Sequence, residues 1–318
     1  MLRYARVNAV TLRLWLQGSC KGDFMKKILF ILLFVTASQV LCAEWWDEKK
    51  ADWNKAKELV PGIVYMHEKR TSPRLMEIWL MRIDLSRKFN FHTAKKAADY
   101  GKPMPTHPDL QIHTLRQRTV DFMSEAQKKN INMVAAINAS PWGPWDKTPS
   151  PHATRLGLLV SDGVVVSPVR PKNRPTLLFY RDGTIDLRVV DENEDLSQIW
   201  QAVTSFHRVL TDGRVTTIGG DYLAPRTGIG LTADKKYLYF MVIDGRQPGF
   251  SMGCTIREVG LILKYMGADN GVNMDGGGSS SFVIWDADKK QPVMLNHQPL
   301  GGIRAVASSL GISVPEKE

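Results

Sequence analysis

The chain has 318 residues, of which 43% are hydrophobic and 23% charged, and its formal net charge is +10. This composition is ordinary for a globular protein and supplies ample apolar material for a core. The charge would suit a nucleic-acid partner, but much of it lies in an N-terminal segment that we expect to be removed. The remainder is too weak and too dispersed to favour nucleic-acid binding.

The N-terminal segment has the pattern of a secretory signal peptide. Residues 25–43 begin with two lysines after the methionine, continue with an apolar run from Ile28 to Val35 and end with a small residue at Ala43. The run is too short to span a bilayer, which takes about 20 residues, so we expect no stable membrane span after cleavage. Residues 1–24 lack such a pattern, which indicates Met25 as the true start.

Cleavage after residue 43 would remove six lysines and arginines and one aspartate, so the net charge would fall from +10 to +5. Leu41 is bulky where a small residue precedes a lipid-modified cysteine, so we favour cleavage over lipidation of Cys42. Only Cys254 then remains, which excludes an intramolecular disulfide and predicts a buried thiol. An exported protein without disulfides suits a bacterial periplasm or cell surface.

The mature chain is expected to have two parts, a helical segment over residues 44–60 and one domain over residues 61–318. The tryptophans of the first part, Trp45, Trp46 and Trp53, are expected to dock on the domain. The domain opens with strand-like runs and one helical pattern. The strands are predicted at Gly62–His67, Met76–Ile83, Phe89–His92 and Met133–Ile137, and the helix from Leu115 to Lys129.

Hairpins dominate the middle of the domain. Asp-Gly pairs between apolar runs predict them at residues 162–163, 182–183 and 212–213, and a further turn is predicted over residues 233–236. One helix follows from Thr255 to Met266, and residues 303–314 are expected to form a last strand. Hairpins outnumber crossovers, so we predict an α+β fold with mixed or largely antiparallel sheets and a few packed helices.

The stretch GVNMDGGGSSSF is the most informative part of the sequence. Asp275 stands at the end of a strand-like run, and three glycines follow it. The amides of Gly276, Gly277 and Gly278 can approach a ligand without Cβ interference, and successive amides in a turn form an anion-binding concavity. The hydroxyl of Ser279 adds a donor. The alternative is a plain glycine turn in a hairpin.

A second strand end repeats this arrangement. The apolar run Tyr239–Ile243 leads into Asp244, Gly245 and Arg246. Arginine matches phosphate in a bidentate fork, so Arg246 is a candidate phosphate ligand, as is Arg226 at the start of another strand. The alternative is a turn with solvated arginines.

Other residues add less. Asn138 ends a buried run, and Trp142 and Trp145 after it would either stack on a sugar or belong to the core. Glu258 is explained by a capping box with Thr255. The sequence contains no HExxH pair and no Cys/His cluster, so we expect no metal and no cofactor, and a divalent cation is conceivable but unsupported.

The segments RTGIG, VIDGR, FSMGCTIREVGLIL, NMDGGGSSSF and IRAVASSLGI, in this order and spacing, resemble the phosphodiester glycosidase family. The resemblance runs from about Gly62 to the C-terminus and implies hydrolysis of a sugar-1-phosphodiester at its glycosidic bond. Ala139 and Ser140 depart from the family pattern, which has glycines and an aromatic residue after the asparagine. Mapped by motif, the site residues are Asn138, Arg226, Asp244, Arg246, Ser251, Glu258, Asp275, Gly276, Gly277, Gly278 and Ser279.

The chemistry implied by the resemblance fits these residues. A phosphomonoester leaves readily, so the reaction needs a carboxylate at the oxocarbenium-like centre and donors for the departing phosphate. Asp275 would be nucleophile or base and Asp244 its partner, and these two roles could be exchanged. Two rival functions stay open: a non-catalytic binding protein for anionic envelope glycans, and a phosphodiesterase that cuts the P–O bond.

Overall fold

The structure is a computed structural model, and it describes residue 46 and residues 50–145, 150–169, 174–216, 220–299 and 302–315. The predicted upstream extension and signal peptide lie outside the described residues. Within the described ranges, no helix is both long enough and apolar enough to cross a membrane.

Strands dominate this part of the chain. In order they are β1 (Lys57–Val60), β2 (Ile63–Arg70), β3 (Met76–Asp84), β4 (Asn90–Thr93), β5 (Pro103–Met104), β6 (His107–Gln111), β7 (Thr114–Leu115), β8 (Met133–Asn138), β9 (Trp142–Gly143), β10 (His152–Arg155), β11 (Leu159–Ser161) and β12 (Val164–Ser167). They continue with β13 (Pro175–Tyr180), β14 (Ile185–Val189), β15 (Ile199–Thr204), β16 (His207–Thr211), β17 (Arg214–Val215), β18 (Arg226–Leu231), β19 (Tyr237–Ile243), β20 (Asn270–Asn273), β21 (Phe282–Asp286), β22 (Gln291–Met294) and β23 (Ser309–Ser313). The helices described are α1 (Thr119–Lys128), α2 (Ile256–Met266) and two short 3-10 helices, Trp53–Lys55 and Gly277–Ser279.

Three sheets form the body of the fold. The large sheet has eight strands in the order β1-β2-β3-β19-β18-β20-β16-β17. Two five-stranded sheets have the orders β22-β21-β8-β23-β4 and β12-β11-β15-β13-β14, and a three-stranded ribbon has the order β7-β10-β9. The pairings between these described strands are all antiparallel.

The main core lies between one face of the large sheet and the two five-stranded sheets. Phe240 and Val242 of β19 enter this core, whereas Met241 and Ile243 face the opposite side of the large sheet. Successive side chains of a strand point to opposite faces, so an apolar run such as β19 can serve two cores. The large sheet is therefore buried on both sides of its central strands.

Helix α2 covers the second face. Its Thr255 N-cap and Glu258 form the predicted capping box, and Gly267 ends the helix in the left-handed region at φ 110°. The helix lies close to the sheet because glycines face it: a Cβ on Gly228 would come within 2.9 Å of Val259. This close packing fixes the ends of β18 and β20 relative to the N-terminus of α2.

The structure confirms the local predictions and corrects the fold class. The three Asp-Gly hairpins form β11–β12, β13–β14 and β16–β17, and the predicted helices correspond to α1 and α2. The sheets are largely antiparallel, as expected. With two α-helices in the described residues, however, the fold is β-rich rather than a balanced α+β, because most of the sheet surface is covered by other sheets.

The N-terminal helical segment is corrected over residues 50–60, although Trp46 is helical. Trp53–Lys55 is a 3-10 helix, and Lys57–Val60 is strand β1, which pairs with β2 through the turn at Gly62. The docking of the tryptophans is confirmed for two of them. Trp46 is buried in the core beside α2, and the Trp53 indole donates to the carbonyl of Met266 across 3.0 Å.

Candidate active site

A cavity of about 400 Å³ opens where several strand ends of the large sheet meet the β7-β10-β9 ribbon. The turn after β20 supplies Asp275, β18 begins with Arg226, and Arg246 follows β19. The complete lining is Arg116, Trp142, Pro144, Trp145, Phe206, His207, Tyr222, Arg226, Arg246, Ile256, Asn273, Met274, Asp275, Gly276, Gly277, Ser279 and Arg304.

Asp275 stands in the wall of this cavity and is only 5% exposed. The indole of Trp142 donates to its Oδ2 across 3.0 Å, and the amide of Gly276 donates to its Oδ1 across 3.0 Å. Burial raises the pKa of Asp275 to about 6, although hydrogen bonds from Ser279, Gly276 and Trp142 act in the opposite direction. The carboxyl group is therefore held in place, and it changes its charge near neutral pH.

Asn138 positions Asp275 from behind. It is fully buried, and its side-chain amide donates to the carbonyl of Asp275 across 2.7 Å. Its Oδ1 accepts from the Thr227 hydroxyl and the Ser281 amide. Asn138 does not line the cavity, so the structure places it as a support for the turn rather than as a substrate ligand.

Two of the three glycines make room for guanidinium groups. A Cβ on Gly277 would lie 3.1 Å from Nη1 of Arg246, and a Cβ on Gly278 would lie 2.6 Å from Nη2 of Arg304. A Cβ on Gly276 would lie 2.9 Å from the carbonyl of Pro225. Gly276, Gly277 and Ser279 also line the cavity, whereas Gly278 does not. The bare main chain thus brings guanidinium groups to the edge of the site.

Four arginines line the cavity, and no carboxylate of the described residues pairs with any of them. Arg226 donates to the carbonyls of Cys254 and Tyr222, and Arg116 donates to the carbonyls of Ala305 and Ser150. The other two, Arg246 and Arg304, are exposed at the rim. Because carbonyl bonds leave the charge of a guanidinium uncompensated, the lining carries positive charge that favours an anion.

Aromatic rings form the remaining wall. Trp145 is 59% exposed and meets Phe206 edge to face at 5.6 Å, and Tyr222 is 56% exposed beneath the guanidinium of Arg226. Trp142, by contrast, is buried and holds Asp275. Exposed rings beside a polar site offer flat surfaces on which a sugar or another ring can stack.

Two polar groups in the cavity suit uncharged parts of a ligand. Oδ1 of Asn273 is buried without a hydrogen-bond partner, so it can accept from a hydroxyl group. Burial, Arg174 and Arg226 lower the pKa of His207, which keeps this imidazole neutral at neutral pH. Both residues lie on neighbouring strands, since His207 pairs with Asn273.

Asp244 and Ser251 lie outside the lining of this cavity. Oδ1 of Asp244 accepts from the Asn296 side chain and the His297 amide, and Asn296 also donates to the carbonyl of Ser280. The Ser251 hydroxyl donates to the carbonyl of Asp244. These groups tie the end of β19 to the glycine-serine turn, so they support the site from outside it.

Glu258 also lies outside the lining of this cavity. Its carboxylate accepts from the amide of Thr255 in the capping box and pairs with Arg74. An N-terminal carboxylate on a helix stabilises the helix dipole and the free amides of the first turn. The contacts of Glu258 are therefore local to the start of α2 and to Arg74.

The sequence did not identify several lining residues. Arg116, Phe206 and Tyr222 come from loops or loop-like segments without a motif, and Arg304 was not singled out. Arg304 lies within the quoted IRAVASSLGI segment, so its position there was a usable signal. Among the described residues, no group of three or more His, Cys, Asp or Glu side chains is placed to hold a metal ion.

Comparisons with known proteins identify a family and a fold for this chain. A family model described as phosphodiester glycosidase matches residues 131–313, which is more than half of the chain. That match includes Asp275, Arg226, Arg246 and Arg304. No curated protein matches the sequence.

Solved structures share the fold at low sequence identity. The catalytic domain of zebrafish N-acetylglucosamine-1-phosphodiester α-N-acetylglucosaminidase, auto-inhibited by its pro-peptide, has a TM-score of 0.58 at 16% identity, over 84% of this chain and 87% of that one. A hypothetical protein from Synechocystis has a TM-score of 0.59 at 12% identity, over 82% and 64%. A candidate exported protein of Burkholderia pseudomallei has a TM-score of 0.50 at 15% identity, over 76% and 74%.

Proposed function

Because the chain belongs to the phosphodiester glycosidase family, and is thus a hydrolase, we propose that it hydrolyses a sugar-1-phosphodiester at the bond between the anomeric carbon and the phosphate oxygen. The products are a free sugar and a phosphomonoester. The observation that carries this proposal is that one carboxylate and four arginines line the same cavity. Among the described residues that line the cavity, Asp275 is the single Asp or Glu.

The arginines support the phosphate end of the reaction. Arg226 and Arg116 are held by main-chain carbonyls, so their guanidinium groups are pre-organised, whereas Arg246 and Arg304 stand at the rim where a substrate enters. As the glycosidic bond breaks, the phosphate takes the bonding electron pair and its negative charge grows. Fixed cations near that oxygen stabilise the transition state more than the ground state.

Asp275 supports the sugar end. In a single displacement it takes a proton from the attacking water, whose oxygen then bonds to the anomeric carbon. In a double displacement it forms an ester with that carbon, and water later hydrolyses the ester. Because a phosphomonoester leaves without protonation by a strong acid, its departure needs no second carboxylate in the cavity. In the double displacement the departed phosphate can take the proton of the water that hydrolyses the ester.

The sugar is proposed to stack on the exposed rings. Trp145 and Tyr222 offer flat faces beside the arginines, and Oδ1 of Asn273 offers an acceptor for a hydroxyl. The zebrafish relative is named for an N-acetylglucosamine substrate, so N-acetylglucosamine-1-phosphodiesters are the first compounds to test. We place the reaction outside the cytoplasm of a bacterium, on the strength of the signal-peptide pattern in residues 25–43.

Turnover tests the proposal. The mature protein is incubated with UDP-N-acetylglucosamine or methyl N-acetylglucosamine-1-phosphate, and free sugar is measured. Release that is lost in Asp275→Asn and kept in the exposed control Asp288→Asn supports the proposal. Release of sugar-1-phosphate would instead favour P–O cleavage, and tight binding without any product would favour a glycan-binding protein.

A further inference from the structure

Arg155 is a buried cation directly behind the candidate site. It ends β10, is 1% exposed and does not line the cavity. None of its three guanidinium nitrogens has a hydrogen-bond partner in the structure. A buried charge is tolerated when another charge compensates it. The position of Arg155 therefore calls for a nearby anion.

The strand register indicates which anion this is. Arg155 is the cross-strand partner of Trp142 in the β9–β10 pair. Side chains of directly opposed residues lie on the same face of a sheet, and on that face the Trp142 indole reaches Oδ2 of Asp275. Burial lowers the pKa of Arg155 to about 9 and the charge of Asp275 opposes this lowering, so Arg155 stays protonated at neutral pH.

Arg155 differs from the other charged groups around Asp275 because it lies outside the cavity. The titratable and charged groups that line the cavity together with this carboxyl are Arg116, Arg226, Arg246, Arg304 and His207, and the charge of Arg304 lowers the pKa of Asp275. A bound phosphate compensates the cavity arginines, so their effect on Asp275 weakens when the substrate is present. Arg155 lies outside the cavity, and a substrate does not reach it.

We propose that Arg155 is a positioning residue that acts on Asp275 from behind the cavity, where its buried positive charge keeps the carboxylate ionised while a phosphate occupies the cavity arginines. The electrostatic part of this proposal stands on the structure alone. Its consequence for catalysis rests on the proposed function, because it requires Asp275 to react as a carboxylate.

The indole of Trp142 provides a direct test. Its ¹H–¹⁵N resonance, assigned by loss in Trp142→Phe, titrates with the carboxyl group to which it donates. The midpoint is measured in the wild-type protein, Arg155→Lys, Arg155→Gln, Arg155→Met and the remote control Arg82→Met. We expect the midpoint to rise by about one pH unit in the Gln and Met variants, because an opposite charge is lost, and to stay unchanged in Lys and in the control.

If Arg155→Gln or Arg155→Met folds and its midpoint is unchanged, the proposal is overturned. An equal rise of the midpoint in the control Arg82→Met would also overturn it. The kinetic readout is the apparent pKa of the acid limb in the pH profile of kcat. This pKa is expected to rise with the midpoint in the Gln and Met variants, while KM stays within twofold of the wild-type value. The two proposals fail separately. A shifted midpoint in a protein that releases no sugar refutes only the proposed function, and sugar release with an unshifted midpoint refutes only the role of Arg155.

Discussion

Arg246 lies against Gly277, with its Nη1 only 3.1 Å from the position that a Cβ of residue 277 would occupy. The main chain at Gly277 also has φ 63°, a conformation that disfavours other residues. The glycine thus serves two purposes, since it permits the turn and admits the guanidinium beside Asp275.

Gly277→Ala is expected to weaken substrate binding and stability together. The left-handed backbone should cost about 1 kcal/mol of unfolding free energy, and the displaced Arg246 should raise KM severalfold. The matched control is Gly183→Ala, whose glycine has φ 86° and no atom within 4 Å of its Cβ position. The control should lose similar stability in urea unfolding with KM unchanged. An equal rise of KM in both variants would contradict the account.

Asp275→Asn is expected to abolish activity and stabilise the fold. The rate should fall at least about 100-fold if the charge acts in the transition state. Because burial raises the folded-state pKa from 3.8 to about 6, the folded protein binds a proton more tightly than the unfolded chain. This contribution to stability is complete below pH 3.8 and lost as the pH rises through 6.

Removing the charge should therefore raise the unfolding free energy by about 3 kcal/mol at pH 7 and by little at pH 3.5. Urea unfolding at the two pH values measures this difference. An Asn variant that is less stable than the wild type at pH 7 would show that the carboxylate is a stabilising group, contrary to its burial.

The activity should follow the ionisation of the same group. Since Asp275 acts as an anion in either route and its pKa is raised to about 6, kcat/KM should fall about tenfold per pH unit below that value. A profile of kcat/KM from pH 4 to pH 8, with a control for the identity of the buffer, measures this decline. Activity that persists undiminished to pH 4 would remove Asp275 from the reaction.

Arg246→Ala separates binding from folding. Its guanidinium is exposed and makes no ion pair with the described residues, so the unfolding free energy should change by less than about 0.5 kcal/mol. The loss of a cation beside the phosphate should lower kcat/KM at least about tenfold, and more at low salt. Arg214→Ala, an exposed residue of β17, is the control and should change neither quantity.

Glu258→Gln tests whether that residue has only a local structural role outside the cavity. Loss of the ion pair with Arg74 and weakening of the capping box should lower the unfolding free energy by about 1 kcal/mol. The rate should stay within a factor of about two under conditions where the protein is folded. A large loss of kcat in a folded Glu258→Gln protein would return this carboxylate to the catalytic set.

Local signals in the sequence predicted local structure well. The Asp-Gly turns and the Thr255–Glu258 capping box depend on neighbours within a few residues, so hairpins and α2 were predictable. The glycine turn at Asp275 was recognisable for the same reason. The β-rich class was harder, because it depends on sheets packing against sheets.

Only some of the residues that line the cavity were predictable from the sequence. Asp244 follows a buried strand as Asp275 does, yet its Oδ1 accepts from Asn296 and the His297 amide, which are about fifty residues distant in the chain. Arg116 and Arg155 reach the site through the ribbon around β10, which no sequence motif marks. Tertiary packing sets these positions, so a sequence pattern within one segment does not predict them.

The most direct measurement of the central claim is the fate of oxygen-18. Hydrolysis of methyl N-acetylglucosamine-1-phosphate in labelled water, followed by mass spectrometry before anomeric exchange, locates the bond that breaks. The account predicts label on the anomeric oxygen of the sugar and none in the phosphate. Label in the phosphate would show attack at phosphorus and would contradict it.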